Sequence, residues 1–592
     1  MNITPNKLSI SQLFATNNEQ FLIPTYQRRY AWGYNQIKAL YDDIRMLKEG
    51  DGHLFGMIIL HSELHLGGLN KPELVDGQQR LTTLAILLKV IQQCFKNLGN
   101  KNKEDQIKKM LVCSGYDDKE EPKLELGELD NRDFIALMKE EETHEYTNIN
   151  IRDAYNNFSK WLEMFSSEEL NRFFFTLTNM TVIIRLDVGM AQDAYKLFET
   201  INNRGLRLSP TDIIKNFLLG HAAKIGGDVL EETKSLWAAI ITNLDNIGTD
   251  DFFRQYMCSM LHRKISKSKL VYEFKKYYFK YIDKTELLGE FAYYVDELTD
   301  EDEEKNNHIS NGEENEHIEE AKISTNDLLR QLKETSETYR KIALGQFDNA
   351  IINRHIVYLN KILSTPTYIF LMHFLQKDLP VKTVVEVLKK IESFMLRRHI
   401  CEMRTGEHDD IFAKMLYVLS SDDIIDAVKK HLAEHFPTDE DFRISFPKHS
   451  FYGRLIDRAK YVLEQIEYDE HGNVGELIVA GPSEVQLEHI IPQTISTKKS
   501  KEEFGNWEAY LGPNSIVKHK KYVDLIGNMT LLADSLNIQA YNNPFAKKKN
   551  SYRNSSLAIT KKLAKQSDFK FHHVEKRGKE LVEKAIKIWT IG

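Results

Sequence analysis

What most constrains this chain is a change of hydrophobic period along its length. Up to about residue 220, short strand-like runs mix with helical ones. Gly56-Met57-Ile58-Ile59-Leu60 reads as a strand, Gly67-Gly68 as a turn, Glu73-Leu74-Val75 as a second strand, and a helix follows from about Gln79. From about 221 to 450, apolar residues recur at three- and four-residue spacing, in stretches such as Ala292 to Leu298, Leu328 to Ala343 and Val384 to Leu396. At 592 residues the chain exceeds what one core organises, so roughly two to four domains are expected. The pattern predicts an α+β multidomain protein: a small α+β domain over 1–220, a helical connector over 221–480 and a C-terminal domain over 481–592. Gly, Asn and Pro punctuate the last boundary at Glu470-His471-Gly472-Asn473 and Gly481-Pro482-Ser483.

Charge is distributed unevenly over these segments. Residues 296–320 carry twelve acidic side chains and a single Lys305, with almost no apolar content, and read as an acidic loop of the connector. Residues 481–592 hold 19 Lys and Arg against 11 Asp and Glu, a local net of +8, which leaves −16 on residues 1–480. A basic C-terminal block suits a polyanionic partner, and local patches matter more for such contacts than totals.

Composition excludes other classes. With 42% hydrophobic and 28% charged residues, the chain is neither disordered throughout nor collagen-like. The longest apolar candidate, around Tyr368 to Leu375, is far short of the roughly 18 residues of a membrane helix and reads as a core helix. Met1 to Ile10 lacks the basic and apolar regions of a secretory signal, so a cytoplasmic location is expected. Cys94, Cys113, Cys258 and Cys401 form no C-x-x-C pair, so neither a disulfide framework nor a thiolate zinc site is expected.

Three polar clusters mark the first domain. Val75-Asp76-Gly77-Gln78-Gln79-Arg80-Leu81-Thr82-Thr83-Leu84 puts a tight turn between strand and helix, where unpaired backbone N–H groups of the first turn favour anions. Gly77 lets a ligand approach the main chain, Arg80 can fork onto phosphate oxygens, Thr82 or Thr83 can donate a hydroxyl, and Asp76 can hold a cation or a ribose hydroxyl. Ile23 to Trp32 crowds Gln27, Arg28 and Arg29 between aromatics, a composition suited to bases and phosphates. Phe198 to Ser209 breaks a helix at Gly205 and restarts it with Ser209 as cap before Pro210. Neither a Walker A pattern nor a G-x-G-x-x-G fingerprint occurs, which disfavours a P-loop motor.

In this order and spacing, over roughly residues 8–220, the clusters resemble the ParB/sulfiredoxin-like NTPase domain of GmrSD-type modification-dependent restriction enzymes. The resemblance assigns nucleotide binding and hydrolysis to Asp76, Gly77, Gln78, Gln79 and Arg80, with Gln27 and Arg28 supporting the same pocket. GTP, ATP and CTP are not distinguished.

Near the other end, Val485-Gln486-Leu487-Glu488-His489-Ile490-Ile491-Pro492-Gln493 sets an acid beside a histidine, a pair able to bind a metal and abstract a proton. Ile526 to Asn537 and Asn542 to Tyr552 follow, and the order His, Asn, Asn resembles an HNH nuclease of the ββα-metal fold. The resemblance implies that His489 is the general base, that Glu488 and Asn537 hold the metal, and that Asn528 orders the loop and orients His489. Lys548 would contact the scissile strand or the leaving phosphate. Oxygen ligands without nearby cysteine favour a single hydrated Mg²⁺ or Mn²⁺ over Zn²⁺. Phe394 to Cys401 looks like the helical segment joining the two domains in these proteins, with arginines of structural character.

The expectation is a metal-dependent double-stranded DNA endonuclease gated by nucleoside triphosphate, which cuts foreign and in particular modified phage DNA. The resemblance implies modified bases such as glucosylated hydroxymethylcytosine or modified backbones such as phosphorothioate as triggers, between which no residue chooses, and cutting independent of modification also stays open. Two alternatives stay open: a DNA-binding NTPase switch that nicks or blocks phage DNA, and a toxin-like nuclease effector. Self-association into a homo-oligomer is also left open.

Overall fold

The computed structural model describes residues 3–48, 51–61, 65–66, 68–116, 118–141, 143–202, 209–282, 322–471, 485–497, 501–502 and 505–592. The acidic stretch 296–320, Ala292 to Leu298, the break at Gly205 and the punctuation at 472–473 and 481–483 lie outside them. The chain divides into two compact units, Met1–Phe253 with Lys267–Glu337, and Arg254–Ser266 with Thr338–Gly592.

The first unit is built on a six-stranded mixed sheet. Its order is Ile3–Ser9, Thr181–Val188, His53–His61, Glu73–Asp76, Phe21–Leu22, Leu124–Glu125. Thr181–Val188 runs antiparallel to Ile3–Ser9 and parallel to His53–His61, which in turn pairs antiparallel with Glu73–Asp76. Ile58, Leu60 and Leu74 are buried from this sheet. The helix Gln78–Asn97 is the central element of the unit, because Leu81, Leu84 and the run Ile86 to Leu88 leave it little polar surface. Both strands and the helix expected around residue 75 are thus in place.

The helices Pro210–Ile225 and Gly227–Asn243 also join this unit. Gly227–Asn243 buries Trp237 and Ile240, and Trp237 stacks on Phe253 at 5.3 Å. The compact units therefore do not part at residues 220 and 480: the helical middle is shared between them, because each amphipathic helix goes where its apolar face is covered.

The second unit is mainly helical. Its long helix Val381–Ile400 is buried along most of its length and contains the Val384 to Leu396 pattern. Arg397 and Arg398, each 1% exposed, are structural: Arg397 donates to the carbonyls of Trp589 (2.6 Å) and Ile586 (3.1 Å), and Arg398 to that of His435 (2.8 Å). The same unit carries a two-stranded antiparallel ladder, Val485–His489 against Met529–Ala533, with helices Asp534–Ala540, Phe545–Asn554 and Phe571–Ile588 packed beside it. Ile490, Leu532, Tyr552 and Val574 belong to one core there.

Candidate functional site

In the first unit the turn at Gly77 brings the polar clusters together. Gly77 caps the Gln78–Asn97 helix at φ 102°, and a Cβ at this position would lie 2.5 Å from Ile58 Cγ2 and 3.3 Å from Ile58 Cα. Only glycine allows so close a passage of strand, turn and helix. Gln79 is buried and clamps the Arg29 to Ala31 segment, accepting from the Ala31 N–H at 2.7 Å and donating to the Arg29 carbonyl at 3.1 Å. Gln27, also buried, donates to the carbonyls of Val75 (3.0 Å) and Leu74 (3.3 Å). Two sequence-distant glutamines thus stitch the first cluster to the turn of the second.

Gln27, Arg28, Gln78, Gln79 and Thr82 line one cleft. Arg28 is about half exposed there, 3.7 Å from Asp212 Oδ2. Asp76, Gly77 and Arg80 do not line this cleft: the Arg80 guanidinium folds back onto the Met57 carbonyl and stays 3.8 Å from Asp76. Thr83 is committed internally, donating to the Gln79 carbonyl at 2.7 Å. Arg29 is likewise a structural residue, its guanidinium shared between Asp130 (2.7 Å) and Asp245 (3.0 Å).

The side chain that sequence reasoning missed is Lys215. It lies on Pro210–Ile225, the helix capped as expected by Ser209 with Pro210 in its first turn. Its ammonium is enclosed, 3% of the residue being exposed, and donates to Gln27 Oε1 at 2.5 Å. Burial pushes its pKa down, and the nearby carboxylates of Asp212 and Asp76 oppose that shift. Burial conversely raises the Asp76 pKa, against the attraction of Arg80, the Gly77 N–H and Lys215. The available signal was an Asp212 to Lys215 spacing of three on a mostly apolar helix, which puts both on one face.

In the second unit, His489 ends the strand Val485–His489 opposite Met529. Asn528, fully buried, closes the ladder at this end: its Oδ1 accepts from Ile491 N at 2.8 Å, and its Nδ2 donates to the carbonyls of Ile491 and Val523, both at 2.9 Å. One amide therefore pins the segments following His489 and preceding Leu525. Asn537 sits on the Asp534–Ala540 helix immediately after the second strand, its Nδ2 donating to Gln486 Oε1 at 3.1 Å.

Glu488 accepts through Oε1 from Lys548 Nζ at 2.6 Å and from the Tyr552 hydroxyl at 2.9 Å. Lys548 is 0% exposed and donates also to the His489 carbonyl at 2.8 Å, so as it stands its ammonium faces the underside of the ladder rather than solvent. Burial lowers its pKa, opposed by Glu488, and burial together with Glu488 holds Tyr552 well above the usual phenol range. His489 Nε2 makes no hydrogen bond and lies 3.8 Å from Asp524 Oδ1. Among the described residues, no group of three or more His, Cys, Asp or Glu side chains is arranged to hold a metal ion, and no helix is long and apolar enough to cross a membrane.

The mixed-sheet unit and the ladder-bearing unit are those of a restriction endonuclease: residues 10–219 match the model of the GmrSD restriction endonuclease N-terminal domain, and residues 436–584 that of the GmrSD C-terminal domain. The two matches together span more than half of the chain. It belongs to the GmrSD family of restriction endonucleases, with DNA as substrate. No curated protein matches it.

Proposed function

We propose that this enzyme is a nucleotide-regulated, metal-dependent endonuclease of anti-phage defence, which acts in the cytoplasm on foreign and chiefly modified DNA. Its nuclease would be of the HNH type and its first domain a ParB-like NTPase. The observation that carries the reading is the strand–strand–helix unit in which His489 ends the first strand, Asn528 closes the ladder and Asn537 follows on the helix. In that reading His489 takes a proton from water, and Asn528 holds the base in place.

The donor chemistry fits a hard cation. Glu488 Oε2 and Asn537 Oδ1 take no part in the bonds to Lys548, Tyr552 and Gln486. Glu488 and Asn537 would hold a hydrated Mg²⁺ or Mn²⁺, which supplies charge stabilisation to the phosphate when bound. Lys548 balances the Glu488 charge from beneath.

The nucleotide reading is supported by the cleft of Gln27, Arg28, Gln78 and Gln79 beside the start of the Gln78–Asn97 helix, where a half-exposed guanidinium and helix N–H groups suit phosphates. Asp76, Lys215 and Asp212 supply the charges behind it.

Cleavage of matched unmodified and modified phage DNA tests the proposal, using wild type and His489→Ala with Mg²⁺, each with and without GTP, ATP or CTP. Nucleotide-dependent cutting of modified DNA by wild type alone is expected. Equal cutting of both DNAs would remove the modification sensor; equal cutting by His489→Ala would remove the HNH assignment. Asp76→Ala is expected to abolish nucleotide hydrolysis.

A further inference from the structure

We infer that Asp524 is the positioning residue of His489, a role that rests on reading His489 as the general base. The pair stands out because a buried ring nitrogen is left without a hydrogen bond while a carboxylate sits 3.8 Å away. Leaving such a nitrogen unpaired costs about 1–3 kcal/mol, and a cost of that kind calls for an explanation. A short side-chain rotation closes the gap, and hydrogen bonds of a catalytic pair commonly tighten only once substrate is bound.

The surroundings show how this carboxylate is presented to the ring. Asp524 lies between the Ser515–Tyr522 helix and the Ile526–Asn528 turn, and its carbonyl accepts from Phe451 N at 2.8 Å. Asn528 grips both neighbouring stretches, through the Val523 carbonyl on one side and Ile491 on the other, while its own carbonyl accepts from Ile490 N at 2.9 Å. Lys548 pins the His489 carbonyl from below. The backbones bearing the two side chains are therefore held from several sides, and only the side chains have freedom to adjust. The other imidazole of this corner, His519, has its Nε2 engaged 2.7 Å from the Pro492 carbonyl, so that nitrogen does not compete for Asp524.

A carboxylate that accepts from Nε2–H fixes the proton on Nε2 and leaves the lone pair on Nδ1. Nδ1 is then the basic atom. In the hydrolytic step a water O–H bond breaks and its proton passes to Nδ1, the water oxygen bonds to phosphorus, the P–O3′ bond breaks, and the departing oxyanion takes a proton from solvent. Asp524 steadies the imidazolium and takes no proton in the step.

The test uses the full chain, with DNA cleavage followed at saturating DNA and Mg²⁺ for wild type, Asp524→Asn, Asp524→Ala, His489→Ala and the Asp524→Ala/His489→Ala double variant. Asp524→Asn, nearly isosteric, is expected to lower kcat by on the order of 100-fold or more with KM changed less than about threefold. Asp524→Ala is expected to add nothing to the loss already caused by His489→Ala. Wild-type turnover in Asp524→Asn, or a further full loss in the double variant, overturns the role of Asp524. Wild-type turnover in His489→Ala overturns instead the reading of His489 as base. Ring ¹⁵N shifts of His489 decide the matter without turnover: the Nε2–H tautomer in wild type and its loss in Asp524→Ala are expected, and an Nδ1–H tautomer in wild type refutes the inference.

Discussion

The ammonium of Lys215 lies 2.5 Å from the amide oxygen of Gln27, although 188 residues separate them in the chain. Gln27 in turn donates to the Leu74 and Val75 carbonyls just before Asp76, so one buried lysine ties the aromatic-rich cluster, the Asp-Gly turn and the Ser209-capped helix to each other. Burial works against this charge, and the carboxylates of Asp212 and Asp76 work to hold it.

Replacing Lys215 by Met is expected to reduce nucleotide hydrolysis by on the order of 100-fold, the cost typical of losing one preorganised electrostatic group. Phosphate release with GTP, ATP and CTP measures it. Lys215→Arg is expected to remain impaired, because the position is buried and a guanidinium is larger than an ammonium and donates in a different geometry.

On the proposed function, substitutions at two glycines are expected to separate DNA cleavage from nucleotide hydrolysis. A Cβ on Gly527 would sit 2.1 Å from the Val574 carbonyl oxygen, so Gly527→Ala pushes the Ile526–Asn528 turn off the Phe571–Ile588 helix. A loss of about 3 kcal/mol or more in the second unit is expected, with DNA cleavage abolished and nucleotide hydrolysis retained. Gly77→Ala adds the left-handed backbone cost of about 1–2 kcal/mol to its clash with Ile58, and is expected to abolish hydrolysis. Urea denaturation alongside both assays checks each variant.

Lys548→Met leaves the Glu488 carboxylate buried without its cation, and a destabilisation of about 3–5 kcal/mol is expected. The double variant Glu488→Gln/Lys548→Met is expected to recover most of that stability while DNA cleavage stays lost. Denaturation midpoints and cleavage rates distinguish this from a Lys548 that serves only to contact DNA.

Acid is expected to weaken the second unit through its buried histidines. Burial lowers the pKa of His399 to about 3 and those of His408 and His449 to about 4, the charges of Arg458 and Arg398 adding to the effect. As pH falls below the ordinary histidine value of about 6.5, the unfolded chain takes up protons that the folded one refuses, so stability declines from there toward pH 4. His449, with neither ring nitrogen hydrogen-bonded, packs its ring 4.9 Å from Phe451. His449→Phe is expected to flatten the pH dependence, read from melting temperatures at pH 7.5 and pH 5.

Much of the local structure was legible in the sequence. The alternation in Gly56 to Leu60, the Asp-Gly turn and the unbroken apolar face after Gln79 specify strand, turn and helix through neighbours alone, and Ser209 before Pro210 specifies a helix start for the same reason. The hairpin was half legible: Val485 to His489 reads as a strand, while Met529-Thr530-Leu531-Leu532-Ala533 shows itself as one only where Val485–His489 pairs with it. The resemblance puts Lys548 against the scissile strand or leaving phosphate; the helix Phe545–Asn554 instead turns it fully inward.

The sequence by itself determined the mixed α+β class, the placement of the two motif groups near opposite ends and the residues able to carry their chemistry, because turns, caps and periodicity depend on residues within a few positions of each other. Tertiary structure alone decided which of those residues face one another. Lys215 finding Gln27, Asp524 finding His489 and Lys548 finding Glu488 each depend on packing between segments far apart in the chain, where the cost of burying a charge or a ring nitrogen selects a partner that no local pattern names.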